Sequence, residues 1–204
     1  MNRRHVVLLC AASLASSLGL SPGFRTADPL GESQKQLLEP PITVFFVRHA
    51  ETAGSTRSGG DPELSEQGQA RARVLARLLG AAGAEAYFSS EFARTQGTLR
   101  ALAGDAEIAV ISAREGAKQI EALRALEPGS VAVVAGHSNT VPALVLGLGG
   151  KIDELKHDAR YGPMLEHYQY DRLFCVILDP ATTKASTTIE LRYGEACEPP
   201  AEPR

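Results

Sequence analysis

Apolar residues fall into two rhythms along this chain. Ile42-Thr43-Val44-Phe45-Phe46-Val47 and Val131-Ala132-Val133-Val134-Ala135 are short, almost continuous apolar runs rich in β-branched side chains, the pattern of strands buried on both faces. Elsewhere the period is helical. Ala70, Val74, Leu75, Leu78 and Leu79 recur at helical spacing behind Ser65, an N-cap residue type, and the glycines at 80 and 83 end the helix. Arg71, Arg73 and Arg77 fall between those positions and predict a solvated face. Further along, the pattern predicts a strand at 86–88, a helix to about 103, a strand at 107–111 and a helix at 117–126 closed by Pro128-Gly129. An apolar helix runs from 140 to 148 and stops at Gly149-Gly150. Strands alternating with helices in this way predict a three-layer α/β/α sandwich with a mainly parallel central sheet. The last two strands, 173–179 and 186–193, flank Pro180 and predict an antiparallel pair at the C-terminal end. Residues 151–170, which include Tyr161, Tyr168 and Tyr170, read as a surface loop, with a cover over a cleft as the alternative.

The ends of the chain follow other rules. Met1-Asn2-Arg3-Arg4-His5 is basic, about fifteen mostly apolar residues follow, and Pro22-Gly23 comes next, so residues 1–23 read as a secretory signal peptide. The run is shorter than the roughly twenty residues of a membrane span and is interrupted by serines. Cys10 raises a lipoprotein alternative, against which Leu9 stands where a small residue is expected. Residues 24–41 read as a linker, 42–194 as the folded domain and 195–204 as a loose tail. The expectation is a periplasmic or secreted protein with no stable membrane insertion after leader cleavage. Without the leader the chain carries 19 basic and 24 acidic side chains, a net of −5. No dense Lys/Arg cluster marks a nucleic-acid surface. Cys175 and Cys197 remain, and a disulfide between them is compatible with an oxidising compartment without being required. No closely spaced Cys/His set points to a metal.

Chemistry gathers at the strand ends. Arg48-His49 follows the first apolar run and Gly136-His137 follows the second, and parallel strands bring both histidines to one edge, where open α/β sheets bind ligands. Ser90-Glu91-Phe92-Ala93-Arg94-Thr95 follows a third strand, so Arg94 in the opening turn of the next helix faces the same cleft. Two guanidinium groups, two imidazoles and two helix N-termini suit an oxyanion. Guanidinium charge beside an imidazole lowers its pKa and keeps it neutral, hence nucleophilic.

Arg48-His49-Ala50-Glu51, Ser90-Glu91-Phe92-Ala93-Arg94-Thr95 and Gly136-His137-Ser138-Asn139 resemble, in order and context, the three signatures of the histidine phosphatase superfamily, the phosphoglycerate mutase-like enzymes. The small phosphohistidine-phosphatase-like branch is the nearer pattern, because Ser55 stands where the mutase-type run has Asn. The resemblance implies a phosphatase in which His49 is phosphorylated while Arg48, Arg94 and His137 grip the phosphoryl group. Ser138 and Asn139 add phosphate contacts or cap the next helix. No metal or other cofactor is implied. Glu115 is the nearest candidate for the proton donor, with Asp61 and Glu107 as rivals and a helix-start role as the other reading of Glu115. Glu51 and Thr52 read equally as capping residues, and His157 and His167 as surface residues. Two other functions use the same letters: a non-catalytic phospholigand-binding module, and a serine hydrolase with Ser138 as nucleophile and His157 or His167 as base. The substrate expected is a small phosphomonoester or a phosphoprotein.

Overall fold

Strand β1 (Ile42–Arg48) runs through the interior because both of its faces are apolar. A computed structural model of the chain describes residues 39–55 and 60–199; the leader at 1–23 and most of the linker at 24–41 lie outside the described residues. On one side β1 pairs in parallel with β4 (Val131–Gly136), which pairs in parallel with β2 (Ala86–Ser89), and β2 with β3 (Ile108–Val110). On its other side β1 pairs antiparallel with β7 (Arg172–Asp179), and β7 with β8 (Lys184–Arg192). The six-stranded order is therefore β3-β2-β4-β1-β7-β8, parallel over four strands and antiparallel at the C-terminal end, as the pattern predicts.

The period-2 alternation of the strands assigns the helices to two faces. Val44, Phe46, Ala132, Val134 and Phe174 pack with Leu123 of helix α3 (Gly116–Arg124) and with Val141, Leu144 and Val145 of helix α4 (Thr140–Gly147). Their neighbours Val47, Val133, Ala135 and Leu173 meet Leu75 and Leu79 of helix α1 (Glu66–Leu79) and Leu99 of helix α2 (Ala93–Ala103) on the opposite side. Each fully buried side chain of this kind contributes about 1.5–3 kcal/mol. Ser65 caps α1 as expected, its hydroxyl accepting from Gly68 N at 3.1 Å.

Two expectations are corrected. Arg71 is not on a solvated face: it is 3% exposed, and its guanidinium holds the Glu51 carboxylate at 2.7–3.0 Å and donates to Tyr193 O. Helical spacing could not find this, because the partners come from the first motif and from the end of β8. Residues 151–170 are also more than a surface loop. They contain a separate hairpin of β5 (Lys156–Asp158) and β6 (Gly162–Met164), too short for a period-2 signal to register. Buried Arg172 ties this segment to the sheet, donating to Asp153 O and Glu154 O while Glu190 neutralises it at 2.7 Å.

Candidate active site

The register of the sheet sets the site. Arg48 lies opposite Gly136 and Ser89 opposite Ala135, so the residues that follow the three strands leave the sheet at one level. Arg48, His49, Arg94 and His137 are each at most 9% exposed and line one cleft of about 370 Å³, with Phe92, Ser138 and Asn139. The His49 and His137 ring centroids are 5.4 Å apart.

His49 Nδ1 is 2.9 Å from Ala50 O. A carbonyl only accepts, so Nδ1 carries the proton and Nε2 keeps its lone pair. Burial, followed by the charges of Arg48, His137 and Arg94, lowers the pKa of His49 from 6.5 to about 3. Desolvation thus acts first and the arginines add to it. His137 is lowered in the same way to about 4, burial coming before Arg94. Its Nε2 meets Ser90 Oγ at 2.9 Å, and Ser90 Oγ meets Thr95 Oγ1 at 2.8 Å, so Nδ1 is the ring atom left for a ligand. Thr140 Oγ1 accepts from His137 N at 2.8 Å and fixes the backbone there.

The guanidinium groups are held by their outer nitrogens. Arg48 Nη1 donates to Glu166 O and His167 O at 2.9 Å, and its Cζ lies 4.1 Å from the centre of the Tyr170 ring. Arg94 stacks at 4.1 Å over Phe92 and donates from Nη1 to Asp61 at 3.3 Å. Arg48 Nε and Arg94 Nε are both buried without a hydrogen-bond partner. A buried unsatisfied donor costs about 1–3 kcal/mol.

Residues 44–117 match the family model of the histidine phosphatase superfamily (branch 1). The match runs from β1 to the start of α3 and takes in Arg48, His49 and Arg94. Among solved structures, the protein histidine phosphatase SixA complexed with tungstate is similar at 19% identity and a TM-score of 0.55, over 74% of this chain and 96% of that one. A Nakamurella multipartitia protein assigned as a phosphohistidine phosphatase SixA shares 18% identity and a TM-score of 0.51 over 76% of this chain and 96% of that one. Bacillus stearothermophilus YhfR gives 13% and 0.51 over 77% and 96%. At such identities the likeness is one of fold. A search of curated proteins finds no match.

Within this histidine phosphatase fold the other candidates separate. Glu115 is exposed, pairs with Lys118 at 3.7 Å and does not line the cleft. Asp61 accepts from Ala93 N at 2.9 Å and caps α2, taking one of the backbone donors expected to be free for a ligand. Glu107 lies ahead of β3, also off the cleft lining. Glu51 is committed to Arg71, and Thr52 donates to Gly54 O. His157 and His167 are exposed and Ser138 has no hydrogen bond to either, which disfavours the serine hydrolase. The sequence reading missed Ser90, Thr95 and Tyr170 as supports of the site; only Ser90 and Thr95 sat inside a quoted motif. Cys175 and Cys197 are both free thiols.

Proposed function

We propose that this cleft hydrolyses phosphomonoesters through a phosphohistidine on His49. The observation that carries the reading is the convergence of Arg48, Arg94 and His137 on one cleft with an imidazole, His49, fixed as its Nδ1–H tautomer. His49 Nε2 attacks phosphorus, the ester oxygen leaves, and water then releases inorganic phosphate. Arg48, Arg94 and His137 hold the phosphoryl oxygens, whose charge grows in the transition state. Ser138 and Asn139 sit where they can add contacts. The arginines supply the positive charge that a metal ion supplies in other phosphatases, so turnover is expected to survive EDTA. Neutral histidines at low pH make this an acid-type phosphatase acting on a small phosphomonoester or a phosphoprotein. The basic and apolar leader supports a periplasmic or secreted setting for that activity, which N-terminal sequencing of the exported protein would test.

His49→Ala is the decisive variant. It should lower turnover of 4-nitrophenyl phosphate by on the order of 10³-fold or more while tungstate, the oxyanion found with SixA, still binds. Acid-labile counts should also fail to form on the variant in rapid-quench labelling with ³²P-phosphoester. Turnover that persists without His49 would end the phosphohistidine reading, and phosphate binding with no turnover of any ester would leave a phospholigand-binding module.

A further inference from the structure

The cleft continues past the phosphoryl pocket. Along the seam between α3 and α4 lies a groove of about 400 Å³ lined by Ala117, Ile120, Ala143 and Leu144. Ala113, Asn139, Thr140 and Tyr161 line both spaces, so the groove opens directly beside the position of a bound phosphoryl group. We infer that this groove holds the apolar body of the leaving group, and that the substrates are phosphate esters of phenols. The inference rests on the phosphoryl-transfer reading above and names its substrate class.

Size and lining point first to a flat apolar body. An enclosed apolar cavity of about 150 Å³ accommodates benzene, so the groove has room for one or two rings. Gly116, Ala117 and Ala143 keep the facing helices from filling it, and the Tyr161 ring at its mouth offers an aromatic edge or face.

The carboxylates around the cleft point the same way. Asp61 is engaged by Ala93 N and Arg94, Glu91 by Ser112 Oγ and Ala113 N, and Glu115 by Lys118. Each is ion-paired or hydrogen-bonded as an acceptor, so none is placed to hand a proton to the ester oxygen. The P–O bond then breaks with its electron pair going to oxygen, which takes its proton from solvent, while the new bond forms from His49 Nε2 to phosphorus. Water later attacks that phosphorus and gives phosphate, so the sum is ester plus water to phenol plus phosphate. A phenolate leaves with a conjugate acid of pKa about 10, whereas an alkoxide resembles hydroxide, whose conjugate acid lies near 16. Only the former departs readily without help.

The experiment compares kcat/KM of the full chain on 1-naphthyl phosphate and a phosphotyrosine peptide with that on glycerol phosphate and the matching phosphoserine peptide. Both aryl arms should exceed their alkyl partners by at least about 100-fold; an advantage for the naphthyl ester alone assigns the groove to small molecules, and one for both admits peptides. Ala143→Glu should lower kcat/KM on 1-naphthyl phosphate more than tenfold and shrink the aryl-to-alkyl ratio. If that variant does not fold, the wild-type ratio decides alone. His49-dependent turnover with a ratio below about threefold overturns the inference and leaves the phosphohistidine reading intact. Turnover of a phosphohistidine peptide faster than any aryl ester also overturns it. Turnover that persists in His49→Ala, or no turnover of any ester, overturns both.

Discussion

Ser90 shows how much of this site depends on one hydroxyl. It is 1% exposed and bridges His137 Nε2 to Thr95 Oγ1. For His137 to donate from Nδ1 to a phosphoryl oxygen, Nε2 must accept, and Ser90 is its donor. Ser90→Ala is therefore expected to mix the two His137 tautomers, visible in the ¹⁵N shifts of the ring, and to lower kcat/KM by about 10–100-fold, as loss of an orienting partner does at other histidine sites. The protonation state of His49 gives a second expectation. Its pKa of about 3 keeps it nucleophilic well below neutrality, so the acidic limb of kcat/KM set by this group should fall below pH 4 rather than near the 6.5 of an exposed imidazole. A limb at pH 6 that moves with His49 substitution would contradict this. The meeting of Arg48 and His49 with Arg94 and His137 at one sheet edge was legible in sequence, whereas the tautomers and the Tyr170 stack were not. They depend on Ala50 O, Ser90 and Tyr170, contacts set by local turn geometry and by a segment 122 residues away.

At the scale of elements, the hairpin segment forms one wall of the cleft. Tyr161 and Met164 line it, and the carbonyls of Glu166 and His167 hold Arg48. Arg172 fastens that wall by pairing with Glu190 across β7 and β8 and bonding to Asp153 O and Glu154 O. Arg172→Leu leaves an exposed Glu190 that still pairs with Arg192 and strips the carbonyls of Asp153 and Glu154 of their donor, a cost of about 1–3 kcal/mol. It should lower the urea midpoint and raise KM, because Arg48 loses the fixed carbonyls that orient it. An unchanged KM would mean that the segment holds its place without Arg172. Strands β1 and β4 and the four helices among the described residues were legible, since their apolar positions recur at the period of the element. Hairpin β5–β6 was not, since three residues per strand leave no alternation to detect and Arg172 acts only across the sheet.

At the scale of the whole molecule, the buried neutral histidines link stability to pH. His49 and His137 are lowered to about 3 and about 4, while in the unfolded chain each takes a proton near 6.5. Between pH 6.5 and about 3 the unfolded state binds more protons, so stability present above 6.5 is lost progressively as pH falls through that window. Urea midpoints should decline between pH 6.5 and 5, before carboxylates titrate, and the slope should flatten in a His49→Gln, His137→Gln double variant. A midpoint flat across that range would contradict the burial of both rings. The alternation of apolar runs determined the layers, the parallel core and the edge at which Arg48, His49, Arg94 and His137 emerge, because side-chain period and strand direction are local consequences of sequence. Only the tertiary structure decided that Arg71 is an internal tie, that Glu115 does not line the cleft and that an apolar groove opens beside it. Each of these depends on which distant backbone atoms and side chains come within hydrogen-bonding or packing distance, and no periodicity along the chain encodes that.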